Sequence, residues 1–143
     1  MVPYGSTVNG LCGKGSSDLD IAFFPSSQQI SARICLQTIK DALDVERYTK
    51  VNLIEQKNAI NLSFTDQVTK IEIDILVNKS VELFNSALIA AYSKLDIRFH
   101  AAAFILKQWN KHNFPDNMSR VNSYSITLML IYYLQRKNVL PVL

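Results

Sequence analysis

The spacing of apolar residues changes period once along this chain. Up to about Val77, apolar and polar positions alternate in short runs; from Val81 onward they recur at the three-to-four-residue spacing of helices. Three runs, Tyr48 to Ile54, Ala59 to Thr65 and Lys70 to Val77, predict strands. In the last, Ile71, Ile73 and Ile75 alternate with Glu72 and Asp74, the pattern of a half-buried strand. Asp66-Gln67-Val68-Thr69 predicts a hairpin turn between the last two runs. Asp18 to Phe24 predicts a further strand ended by Pro25, and Met1 to Tyr4 the end of another. Between them, Gly5 to Ser17 reads as a Gly/Ser-rich loop or helix start. Ser26 and Ser27 are candidate N-caps for a helix whose stripe of Ile30, Ile34, Leu36, Ile39 and Leu43 ends near Leu43. Three helices are predicted near Val81–Tyr92, Asp96–Asn113 and Asn122–Lys137, with loops at Ser93-Lys94-Leu95 and around Pro115-Asp116-Asn117. The fold class implied is α+β, with a mixed sheet covered by helices over residues 1–77 and part of a helical unit over residues 78–143.

Composition narrows this picture. The chain has 143 residues, of which 48% are hydrophobic and 19% charged, so it is globular and not disordered. No apolar run approaches the roughly 20 residues of a membrane helix, and no signal-peptide pattern opens the chain. Cys12 and Cys35 lack metal-ligand spacing and read as reduced thiols of an intracellular protein. A cytoplasmic location is expected, with the nucleus and the mitochondrion as alternatives. The net charge of +3 conceals an asymmetry. Residues 1–77 carry seven Lys/Arg and nine Asp/Glu, whereas residues 78–143 carry eight and three. An acidic half beside a basic half is what a metal site facing a polyanion site produces, and equally what chance segregation of surface charge produces.

The candidate chemistry starts at Asp18 and Asp20, which are two apart on a strand and so project from one face. Such close like charges cost energy unless a cation lies between them. Asp74, polar in an otherwise apolar alternation, is the candidate third acid of a Mg²⁺ site, with Glu72 on the same side as the fallback. The plain alternative is solvent-facing acids on an edge strand. All four glycines lie between Gly5 and Gly15, and Gly5-Ser6 offers free amides and a hydroxyl suited to phosphate. Lys107 and Lys111 share a helix face, where they form either a triphosphate contact or a solvated basic face with Trp109 in the core. His100 reads as structural, and Asp96 with Arg98 as a local pair.

An apolar residue, Gly-Ser, eleven residues, then Asp-apolar-Asp-apolar, with Asp74 on a later strand, resembles the signature of the polymerase-β-like nucleotidyltransferase superfamily. Asn85-Ser86-Ala87-Leu88-Ile89 with Tyr92, Leu95-Asp96-Ile97-Arg98, and Leu106-Lys107-Gln108-Trp109-Asn110-Lys111 continue the resemblance. So do Asn122-Ser123-Tyr124-Ser125-Ile126-Thr127-Leu128-Met129-Leu130 and Leu140-Pro141. In order and over nearly the whole chain, these segments resemble the RNA terminal uridylyltransferase and cytoplasmic-type poly(A) polymerase branch.

The resemblance implies a palm domain over residues 1–77 and part of a helical central domain over residues 78–143. It implies template-independent addition of a nucleotide to an RNA 3′ end from UTP or ATP, with two Mg²⁺ or Mn²⁺ ions on Asp18, Asp20 and Asp74. Nucleotide-binding roles carry over to Gly5, Ser6, Ser17, Asn85, Ser86, Lys107, Lys111, Ser123 and Tyr124. Asn85 and Ser86 take the ribose, Lys107, Lys111 and Ser123 the triphosphate, and Tyr124 stacks on the base. The chain departs from the pattern at Asn122, where the family usually has serine, and at Ser86, where it usually has threonine. The helix before the Gly-Ser turn and the base-selecting C-terminal part of the helical domain are also missing. A shortened, catalytically silent chain that still binds nucleotide or RNA is therefore the rival expectation. A transferase acting on a small molecule is disfavoured by the pattern of Asn85, Lys107, Lys111 and Ser123-Tyr124.

Overall fold

A computed structural model describes residues 1–13, 18–27, 29–56, 59–116 and 119–143. Five strands, β1 (Val2–Tyr4), β2 (Asp18–Phe23), β3 (Tyr48–Gln56), β4 (Ala59–Asp66) and β5 (Glu72–Val77), form one sheet in the order β1-β2-β5-β4-β3. The β2–β5 pair is parallel and the other three pairings are antiparallel. Helices α1 (Ser6–Asn9) and α2 (Ala32–Asp41) lie among the strands; α3 (Ser80–Leu95), α4 (Ile97–Asn113) and α5 (Ser123–Arg136) follow them.

Strand alternation gives the sheet two unlike faces. The odd residues of β2 and β5, among them Ile21, Phe23, Ile73, Ile75 and Val77, pack with Leu62, Phe64, Cys35 and Leu36 into a core beneath α2. The even residues Asp18, Asp20 and Asp74 occupy the opposite face. A second core joins Ile89, Tyr92, Phe99, Ala103, Leu130, Ile131 and Leu140 from the helical half to Leu11 from the loop after α1. Leu11 therefore belongs to the helical core although it lies between β1 and β2 of the sheet.

Two local expectations change. The helix expected after Ser26 and Ser27 begins at Ala32, capped by Ser31, whose hydroxyl accepts from the Ile34 amide at 3.3 Å. Ser27 only closes a turn onto Gln29. The run Ser93-Lys94-Leu95 is helical, because it holds no glycine or proline to stop α3. Asp96 alone breaks the chain, in extended conformation, and caps α4 by accepting from the Arg98 amide at 2.8 Å. Its carboxylate also pairs with the Arg98 guanidinium at 2.6 Å, as the local-pair reading expects. The expected hairpin turn forms: the Asp66 carboxylate accepts from the Val68 amide at 3.0 Å and pairs with Arg47 at 3.3 Å. Among the described residues no helix is long and apolar enough to cross a membrane.

Leu62 has no exposed surface and joins β4 to α2 and β5. Leu62→Ala is expected to lower the unfolding free energy by about 2–5 kcal/mol, because the packed sheet cannot collapse into the void. Urea denaturation of the two proteins measures this as a fall in midpoint with unchanged slope.

Candidate active site

The polar face of the sheet opens into a cleft of about 750 Å³ between the sheet and the helices. The turn between β1 and α1 forms one wall. Gly5 sits at φ 75° and ψ −152°, a conformation open essentially to glycine. A Cβ on Gly5 would fall onto Asp20 Oδ2, so the backbone here runs directly against the acid. The Gly5 amide donates to Ser86 Oγ at 2.8 Å, and the Ser86 hydroxyl donates to the Glu82 carbonyl at 2.7 Å. Ser86 is buried, with its hydroxyl engaged on both sides. In this structure it holds Gly5 in place, and its hydroxyl does not stand free toward a ribose.

The acids line the cleft from the sheet. Parallel pairing sets Asp20 opposite Asp74, and Asp18 opposite Glu72. Burial, followed by the charges of Asp74 and Asp18, pushes the Asp20 carboxyl up to about 6. Buried Tyr4, in register with Asp20, has its hydroxyl pushed up by burial first and then by the charges of Asp20, Glu82 and Asp74. Asp18 and Asp20 line the cleft. Asp74 stands beside them, and its Oδ1 accepts from Asn61 Nδ2 at 3.3 Å. Among the described residues no three His, Cys, Asp or Glu side chains are gathered closely enough to hold a metal ion. The donor set nevertheless fits a hard dication. It is all carboxylate oxygen, and the crowding that raises Asp20 is what a cation would relieve.

Cations line the same cleft. Lys107 is half-buried, and its ammonium donates to the Leu11 carbonyl at 3.0 Å. Burial pushes its pKa down. Lys111 lies one helical turn further on and also lines the cleft. Trp109 is not core; it is 51% exposed and sets its ring edge against Phe114 at 5.9 Å. Among the described residues none of Lys107, Lys111 and Arg120 forms an ion pair. Arg120 instead donates to the carbonyls of Phe114 and Pro115, each at 2.8 Å.

The base of α5 completes the wall. Asn122 caps the helix by accepting from the Tyr124 amide at 2.8 Å, so the asparagine that departs from the family pattern still does a cap's work. The Tyr124 hydroxyl donates to Asn85 Oδ1 at 2.8 Å, while its ring packs against the helical core. Tyr124 thus lines the cleft and supports the core at once.

Of the residues singled out from sequence, Gly5, Ser6, Asp18, Asp20, Asn85, Ser86, Lys107, Lys111, Ser123 and Tyr124 come together around one cleft. Asp74 joins them through the strand register, and Ser17 lies outside the described residues. His100 and His112 are not among the lining residues. Sequence reading missed Glu82, Asn9, Gln108 and Arg120 as cleft residues. Glu82 was legible in principle, being one turn before Ser86 on the same helix face. Arg120 was not, because the path of the loop after α4 decides its direction.

Comparisons with known proteins agree with this geometry. Residues 1–94 match the family described as Poly(A) RNA polymerase, mitochondrial-like, central palm domain. Poly(A) RNA polymerase GLD2-B of Xenopus laevis is 31% identical over 138 residues, covering 92% of this chain and 27% of the relative. Poly(A) RNA polymerase gld-2 homolog A of Drosophila melanogaster is 34% identical over 139 residues, covering 92% of this chain and 10% of the relative. The chain thus spans less than a third of the length of either. Among solved structures, mtPAP in complex with CTP superposes with a TM-score of 0.84 at 26% identity, over 99% of this chain and 35% of that one. The Cid1 poly(U) polymerase shares the fold, with a TM-score of 0.81 at 24% identity over 93% of this chain and 42% of that one. With residues 1–94 matched by the family and the fold shared, this chain belongs to the family of the mitochondrial-like poly(A) RNA polymerase central palm domain.

Proposed function

We propose that this chain is the catalytic core of a template-independent RNA 3′-end nucleotidyltransferase. The observation that carries the reading is one cleft lined by Asp18 and Asp20, beside Asp74, and by Lys107 and Lys111, neither of which pairs with a carboxylate among the described residues. A nucleoside triphosphate matches that polarity, since its phosphates bring negative charge to the lysines. Residues 1–77 serve as the palm and residues 78–143 as part of the central helical domain. ATP is the favoured substrate over UTP, because the curated relatives are named poly(A) polymerases. The RNA 3′ end is the acceptor, and Cys12 and Cys35, which are not joined in a disulfide, suit an intracellular, cytoplasmic setting.

Two Mg²⁺ or Mn²⁺ ions on Asp18, Asp20 and Asp74 would supply Lewis-acid stabilisation of the attacking and leaving oxygens. The protein's own groups do the rest. Gly5 and Ser6 bring backbone and hydroxyl against the phosphates beside Asp20. Ser17 adds a hydroxyl after the glycine loop. Lys107, Lys111 and Ser123 hold the triphosphate, Asn85 the ribose side, with Ser86 holding Gly5 in place from behind, and the Tyr124 ring carries the base. Asp74 draws on the proton of the RNA 3′-hydroxyl. That oxygen bonds to the α-phosphorus as the bond to the bridging oxygen breaks, and pyrophosphate leaves in line.

The deciding experiment incubates the chain, and the complete protein its gene encodes, with labelled single-stranded RNA, Mg²⁺ and each NTP in turn. Tailing is expected, strongest with ATP, and Asp74→Ala should reduce it at least about a hundredfold. NTP binding by the complete protein without tailing by any nucleotide would instead establish a silent binding module, the reading that the ungathered carboxylates favour. Gly5→Ala should retain the fold, lower the melting temperature and remove most tailing, because the new Cβ displaces Asp20; circular dichroism and the same assay check both halves. The raised Asp20 carboxyl fixes a pH dependence. A carboxyl raised in the folded state adds stability that is complete below its ordinary value of 3.8 and is lost as pH rises through about 6. Metal-free Asp20→Asn should therefore melt higher than the parent at pH 7.5, with the gain vanishing near pH 4. A calorimetric pH series that shows a constant difference contradicts this.

A further inference from the structure

The hydrogen bond from Asn61 to Asp74 has no part in the reaction as described above. Asn61 lies on β4, where it faces Leu76 across the pairing with β5, while Ser63 faces Asp74. Alternate residues of a strand share a face, so Asn61 stands diagonally beside Asp74 on the acid side of the sheet. Its Nδ2 donates to Asp74 Oδ1 at 3.3 Å. The Asp74 carboxylate makes no other hydrogen bond among the described residues, which leaves Oδ2 unengaged. Asp20 flanks Asp74 from the other side, on β2. Unopposed, two adjacent carboxylates turn away from each other, and a short side chain on a strand has the torsional freedom to do so. A donor on the β4 side restricts that freedom.

We propose that Asn61 is a positioning residue, whose amide holds the Asp74 carboxylate by Oδ1 and leaves Oδ2 to a divalent cation shared with Asp20 and Asp18. The assignment rests on the reading of Asp74 as a metal ligand. It extends that reading to a neutral residue on a different strand, in the way that groups behind a ligating carboxylate orient it. Asn61 is half-buried, so its removal leaves no large void in the core.

The test titrates metal-free protein with Mn²⁺ alone and follows free ion by electron paramagnetic resonance, with no nucleotide or RNA present. Asn61→Ala is expected to weaken binding about 10- to 100-fold, and Asn61→Gln, which keeps an amide donor, to recover part of the loss. Melting temperatures identify any variant that unfolds, and Asn61→Val is read in place of an alanine variant that does. In the tailing assay the alanine variant should lose kcat while its KM for NTP stays within about twofold, the split of a group acting on the reacting end only. Mn²⁺ binding by Asn61→Ala as tight as the parent's overturns the proposal. Tighter binding overturns it too, by showing that Asn61 parks the carboxylate away from the ion. A folded glutamine variant as weak as the alanine variant has the same force, and a parent that binds no Mn²⁺ overturns the proposal together with the metal role of Asp74. A parent that binds Mn²⁺ but tails no RNA counts against the polymerase reading alone, since the binding comparison is unaffected.

Discussion

Parallel pairing of β2 with β5 forces Asp20 beside Asp74, and this like-charge contact conditions the rest of the structure. A ladder of backbone hydrogen bonds sets the separation of the two backbones, so Asp20 and Asp74 remain neighbours whichever way their side chains rotate. On the opposite face the same strands bury Ile75 and Val77 against Leu36 and Leu62, which holds the ladder in place from behind. The apolar face thus keeps together what the polar face drives apart. Burial makes the repulsion stronger, and Asp20 responds by holding its proton well above the ordinary carboxyl range.

The helical half answers this charge across the cleft. Leu11 enters the helical core from the loop after α1, and its carbonyl receives the Lys107 ammonium. Ser86 on α3 receives the Gly5 amide, and Tyr124 on α5 reaches Asn85 on α3. These contacts link residues distant in sequence, and each ends on a group that lines the cleft. A half-buried lysine on a neutral carbonyl is stabilised less than one on an anion, which leaves Lys107 receptive to phosphate. The excess of acid in the first half and of base in the second, ambiguous as a count, becomes in the fold a set of acids and a set of bases lining one cavity.

Much of this was legible in the residue order. The alternation of Ile71, Ile73 and Ile75 with Glu72 and Asp74 is local, and it correctly separates a core face from a polar one. Gly5-Ser6 followed by Asp18 and Asp20 marks the turn and the acid strand, because glycine tolerance and side-chain direction belong to the local backbone. Helix ends were less legible. Ser26, Ser27 and Ser31 offer the same cap chemistry, and only the packing of Cys35 and Leu36 beneath the sheet selects Ser31. At the other error, Ser93-Lys94-Leu95 contains nothing that stops a helix, and the stop lies in the Asp96 cap.

What the sequence by itself determined is the inventory: an acid pair on one strand face, a third acid on a later strand, two lysines one turn apart, and the periods that form strands and helices. Those properties depend on neighbours within a few residues. Tertiary structure alone decided which carboxylate stands beside which, that Ser86 spends its hydroxyl on Gly5, that Trp109 faces outward, that Arg120 turns into the cleft, and that Asn61 touches Asp74. Each of these is set by strand register or by helix packing between segments far apart in the chain. Spacing along the sequence carries no information on such a distance until the sheet and the two cores have formed.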